Sequence, residues 1–130
     1  MSREIKFRGL RVEPQYHQSK WKFGNLLNDK SIGDVGYGLE SYQYAQVISE
    51  SVGQFTGLKD KNGVDGYEGD KVILQYGRHH TAPNGKVREG IIKFDKKLAA
   101  FVIAIINSKV IIPFSIVIDF EVIGNIHETK

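Results

Sequence analysis

Residues 52–72, VGQFTGLKDKNGVDGYEGDKV, hold five of the chain's 14 glycines and four of its 15 acidic residues. Crowding of this kind has two explanations. Either the backbone needs turns that glycine makes most easily, or carboxylates are gathered for a metal or for acid–base chemistry. The order of the residues favours turns. Val52–Leu58 reads as a strand, and Asp60–Gly63 follows it. Asn62-Gly63 is a strong hairpin signal, because a type I′ turn needs positive φ at both central residues. Glu68, Gly69 and Asp70 make a second sharp turn, which leads into a strand from Lys71 to Tyr76. Gly63 and Gly69 supply turn geometry, while Asp60, Asn62 and Asp70 tolerate or cap turns. The segment therefore predicts β structure punctuated by glycine.

Outward from this stretch, helical periodicity is poor and strand signals are better. Ile5 and Phe7 alternate with Lys6 and Arg8, and Trp21 and Phe23 flank Lys22. Glu13-Pro14 predicts the end of the first strand, since the residue before proline is pushed to extended geometry. Asn28–Gly38 predicts a long loop. Tyr42–Ile48 allows a short helix, although its apolar spacing fits neither period well. Towards the C-terminus the pattern predicts a polar loop over 77–86 and strands at Gly90–Phe94, Phe101–Ile106, Val110–Ile118 and Glu121–Ile126. Five or so short strands separated by turn residues predict a small all-β barrel.

At 130 residues the chain has the size of a single domain and can bury a core without covalent staples. It contains no cysteine, which excludes disulfides and thiolate metal sites and suits a reducing cytosol. The charged N-terminus, MSREIKFRGL, leads us to expect no secretory leader. The most apolar run, Leu98–Ile118, is interrupted by Asn107, Ser108, Lys109 and Pro113. A lysine at mid-membrane depth is expensive, so two buried strands joined by a turn at Asn107–Lys109 are expected, and no membrane span. The net charge is +3, unevenly spread. Residues 1–30 carry seven basic and three acidic groups, and residues 71–98 carry seven and two. That pattern leaves room for a basic face.

Asp60-x-Asn62 matches the start of a calcium loop, but the required glycine falls two places early and Lys71 stands where Glu belongs. His79 and His80 are adjacent, which on a strand sends the rings to opposite faces, and His17 and His127 stand alone. Glu68 and Asp70 could serve as paired carboxylates, yet nothing else in the sequence completes such a site. No nucleophile elbow or P-loop is present. No catalytic, metal or cofactor-binding residue is therefore expected, and Asn62, Gly63, Glu68, Gly69 and Asp70 are expected to form a structural turn motif. Nucleic-acid binding is the stronger candidate. Arg78, His79, His80, Lys86, Arg88 and Lys93 lie in one basic segment, with Lys96 and Lys97 beyond it. A second basic segment, Lys20-Trp21-Lys22-Phe23, interleaves cations with aromatics. On a strand, however, Trp21 and Phe23 share one face and the lysines the other, which predicts a core side and a solvated side.

Four segments in order resemble the YopX-like proteins of bacteriophages and prophages: REIKFRGL at Arg3–Leu10, VGQFTGLKDKNG at Val52–Gly63, YEGDKV at Tyr67–Val72 and FEVIGNIHE at Phe120–Glu128. Residues 11–50 and 73–119 carry little of the resemblance. One departure is Asp65-Gly66, where the family pattern has a Glu–Ile-like pair. The resemblance implies a mainly β fold, with an irregular β-rich N-terminal portion over 1–50 and an SH3-like barrel over 51–130. It also implies a phage or prophage origin and a bacterial cytoplasmic setting, and it implies no activity.

The C-terminal third is so rich in Ile and Val that its strands should be buried on both faces. In a short chain this predicts self-association, with Pro113 at an edge or bulge. The expected function is a non-enzymatic protein-interaction or assembly module, homo-oligomeric, whose further partner is a host or phage protein. The alternative is a nucleic-acid-binding accessory protein using Arg78, Lys86, Arg88 and Lys93. An enzyme using Glu68 and Asp70 ranks last.

Overall fold

A computed structural model describes residues 5–14, 19–33, 44–76 and 87–127. The chain divides into two compact units, residues 1–57 and 58–130. The described residues are mainly strand, in two sheets whose strands pair antiparallel.

The first unit contains β1 (Phe7–Leu10), β2 (Trp21–Asn28), β3 (Ser31–Gly33), β4 (Tyr44–Gln46) and most of β5 (Gly53–Lys59). The strand order is β4-β3-β2-β1-β5, continuing to β6 (Asp65–Tyr67). β4 is also tied to the end of β1. The Arg11–Val47 bridge is flanked by Val12 N donating to Gln46 O and Ile48 N donating to Leu10 O. Two glycines on one face make this close packing feasible. A Cβ at Gly9 would meet the Val47 side chain at 2.9 Å, and one at Gly24 would meet Gly33 O at 2.1 Å. Val47 and Ile32, buried on that side, form the centre of this unit.

Two expectations for this region do not hold. Within the predicted loop Asn28–Gly38, Ser31–Gly33 forms β3, paired with β2 across a bulge. A tight turn closed by Lys30 N donating to Asn28 Oδ1, followed by the fully buried Ile32, is enough to anchor a strand. In place of a helix near Tyr42–Ile48, Tyr44–Gln46 is β4. Weak periodicity yields here to backbone pairing with β3, a tertiary effect that outweighs local preference.

The second unit carries β7 (Asp70–Tyr76), β8 (Val87–Asp95), β9 (Ala100–Ile105), β10 (Ile111–Pro113) and β11 (Val117–Asn125). Strands β7 to β10 form a meander, and β11 returns to the first of them, giving the order β10-β9-β8-β7-β11. Val72, Leu74, Ile92, Ile103, Ile105, Ile112 and Phe120 make the core on one face. Gly90 lies across from Val72 and Ile105, and a Cβ there would come 2.4 Å from Ile103 Cγ2. The turn at Asn107–Lys109 is present, with Asn107 at φ 61, a conformation that asparagine tolerates.

The predicted strand Val110–Ile118 is interrupted. β10 ends at Pro113, a 3-10 turn spans Phe114–Ile116, and β11 runs on through the predicted start at Glu121. Proline has no N–H for a ladder, and Pro113 lies on an edge strand. β10 and β11 end the sheet, which does not close into a barrel among the described residues. A three-residue strand stopped by proline offers too little backbone for a closing ladder.

Candidate functional site

The turn-rich stretch resolves into a structural clasp. Asp60 N donates to Val64 O and Gly63 N donates to Asp60 O. Gly63 has φ 83, whereas neither Lys61 nor Asn62 has positive φ. The loop is thus a type I turn followed by a glycine bulge, not the predicted type I′ turn, because the loop has three residues rather than two. The Asp60 side chain completes it. Its Oδ1 accepts from Asn62 N at 2.8 Å and Val64 N at 2.9 Å, and its Oδ2 accepts from Val122 N at 2.9 Å. Lys61 N donates to Phe120 O at 3.0 Å. The loop therefore occupies backbone groups on the side of β11 that faces away from β7. That covers an edge that would otherwise invite pairing.

Electrostatics fit this role. Burial pushes the Asp60 carboxyl upward, but the N–H groups of Val122, Val64 and Asn62, with Lys61, outweigh it and hold the group below its ordinary value. The other acidic residues of the stretch are engaged locally too. Asp65 pairs with Lys59 at 2.6 Å, and the buried Asp70 accepts from Tyr67 N at 2.8 Å. Glu68 is half-buried beside Gly69, whose φ of 95 is the reason for a glycine there. No group of three or more His, Asp or Glu among the described residues could hold a metal ion.

The predicted basic segment is placed only in part. Arg78, His79, His80 and Lys86 lie outside the described residues. Arg88 and Lys93 are both exposed on β8, but an odd separation on a regular strand sends them to opposite faces. β8 lies between β7 and β9, so the two cations do not share a surface.

A different constellation emerges in the first unit. The register Arg8↔Phe23 and Leu10↔Trp21 places Arg8, Trp21 and Phe23 on one face. The Arg8 guanidinium lies 4.5 Å from the Trp21 ring centroid, and Lys6 Nζ lies 4.8 Å from that of Phe55. Phe23 is 49% exposed. The expectation that Trp21 and Phe23 form the core side is therefore corrected. Gly9 and Gly24 line the packed side with Val47 and Ile32, and Lys22, directly across from Gly9, shares that side. The cations that meet the aromatics come from β1, a neighbour in space that local alternation does not reveal. The pairing of Lys6 and Arg8, two apart on a strand, with a later aromatic pair was the available signal.

The expected burial on both faces holds for β9 but not for the second apolar run. There Val110, Ile111 and Ile118 are exposed, because β10 and β11 are the two end strands of the sheet. Val102 and Ile103 are successive, hence on opposite faces, and are 2% and 0% exposed. On the Val102 face, Ile91, Ala104 and Ile111 stand in one cross-strand row, and Ile111 is exposed. No helix among the described residues is long and apolar enough to cross a membrane.

Comparison with known proteins agrees with this architecture. Protein EF1440 from Enterococcus faecalis, solved by crystallography, superposes with a TM-score of 0.50 at 21% identity, over 97% of this chain and 95% of that one. At that identity the likeness concerns the fold alone. No curated protein matches. The YopX protein family model matches residues 11–130, spanning both compact units. On the extent of that match, the chain belongs to the YopX protein family.

Proposed function

We propose that this YopX-family protein is a non-enzymatic assembly module of phage or prophage origin, acting in the bacterial cytoplasm by pairing with a second copy of itself. The observation that carries this is the burial of β9 on both faces beside the exposed Ile111. A sheet with apolar side chains on both faces offers an association surface as well as a core. We also propose that the second unit is SH3-like. Its support is a four-strand meander whose fifth strand returns to the first after a 3-10 turn.

Light scattering during size-exclusion chromatography tests the assembly. The native chain is expected to elute as a dimer or larger species, and Ile111→Lys to shift it towards monomer while keeping its β circular dichroism. A native chain that scatters as monomer across micromolar concentrations would sink the proposal.

A nucleic-acid accessory role using Arg78, Lys86, Arg88 and Lys93 ranks second. Exposure of Arg88 and Lys93 supports it, and their placement on opposite faces weakens it.

A further inference from the structure

We infer that the aromatic face of the first unit is a binding site for single-stranded nucleic acid. In it Trp21, Phe23 and Tyr44 are base-stacking platforms, and Lys6 and Lys30 supply positive charge. The inference takes its ligand class from the second-ranked role above and assigns that role to different residues.

The register builds the face. Trp21 and Phe23 are two apart on β2, about 7 Å along the strand. One step further, Asn25 lies across from Gly33, which lies across from Tyr44. Directly paired residues share a face, so Tyr44 joins Trp21 and Phe23 on theirs. Tyr44 is 63% exposed and Phe23 49%, while Trp21 is half-buried with Arg8 stacked on it. A sheet of this size ordinarily turns its aromatic rings inward. Here Gly9 and Gly24 open the opposite face to Val47 and Ile32, and on the ring face Phe23 and Tyr44 remain exposed while Phe55, across from Lys6, is buried.

The charges suit the ligand. Lys6 shares the ring face with Arg8, two residues along the chain, with its ammonium over the Phe55 ring, and Lys30 stands exposed in the turn after β2. Stacking surfaces and cations on one face are what sequence-tolerant single-strand binders use, because every base has a π-face and every linkage a phosphate. Arg8 is buried, and we assign it to positioning the indole.

The chain's single tryptophan is Trp21, which gives an unlabelled readout. The test titrates the full chain with an oligothymidylate of about 12 nucleotides and with a duplex of equal length. Trp21 fluorescence and oligonucleotide anisotropy would be followed together, from about 50 to about 200 mM salt. The expected result is quenching of Trp21 by the single strand, tighter binding of the single strand than of the duplex, and weakening with salt. Phe23→Ala with Tyr44→Ala, both exposed and so compatible with folding, should weaken binding about tenfold or more. Arg88→Ala with Lys93→Ala should change it less than about twofold, since those residues lie outside the face.

Oligonucleotide binding without Trp21 quenching, or binding lost in the Arg88/Lys93 pair and kept in the Phe23/Tyr44 pair, would overturn this site while leaving a nucleic-acid role in place. No binding even at low salt would remove both. Tight capture of duplex in preference to single strand would also overturn the assignment.

Discussion

At the scale of single residues, Asp60 connects most chemistry to most structure. One carboxylate satisfies three backbone N–H groups from two separate segments, the loop after β5 and strand β11. Asparagine cannot replace it. Its single oxygen can serve the loop or Val122, and its NH₂ then faces another donor. We predict that Asp60→Asn lowers stability by about 2 kcal/mol at pH 7, read from urea unfolding, and speeds hydrogen exchange at the Val122 amide. The folded carboxyl lies below the ordinary value of 3.8. Its contribution is therefore complete above that pH and is lost as pH falls through the lower folded value. The gap between native and variant should narrow below pH 3.8. An equal gap at pH 3 and pH 7 would disprove the role. The hairpin itself was legible from Asn62-Gly63, but the partner of Asp60 lies 62 residues away and left no local mark.

At the scale of elements, the two strands most readily misjudged were those whose burial depends on a neighbour. β2 alternates aromatics and lysines, and alternation fixes which residues share a face without saying which face is covered. Gly9 on the next strand decides that, by admitting Val47. β9 shows the opposite case, where an unbroken apolar run correctly announced two buried faces. A consequence follows for substitutions of the same kind. Val102→Ala, at a buried site, should cost about 2 kcal/mol, the sum of lost transfer and cavity terms. Val110→Ala, where the side chain is 48% exposed, should stay within about 0.5 kcal/mol. Guanidinium midpoints of the two variants decide the matter, and equal losses would refute burial of Val102.

At the scale of the whole molecule, the core of the second unit is self-contained. Every member of its hydrophobic cluster falls within residues 58–130. Among the described residues the first unit has fewer buried apolar side chains, those of Ile32, Val47 and Phe55. We therefore predict that a fragment covering residues 58–130 retains β circular dichroism and a cooperative thermal transition, while residues 1–57 alone do not. Small domains are marginal, and the unit with the fuller core should survive separation. A disordered 58–130 fragment would show that its fold depends on the rest of the chain.

What the residues alone determined was the mainly β class, the strand-and-turn plan from Gly53 to Tyr76, the edge position of Pro113 and membership in the YopX family. These rest on local properties: period-two alternation, glycine and asparagine at turns, proline's missing N–H, and contiguous motifs. Tertiary structure alone decided the open five-strand sheet, the strand at Ser31–Gly33, the Asp60 clasp and the outward face of Trp21, Phe23 and Tyr44. Each of these depends on which backbone lies alongside, and pairing between distant segments is set by the packing of the whole unit and not by the chemistry of any one segment.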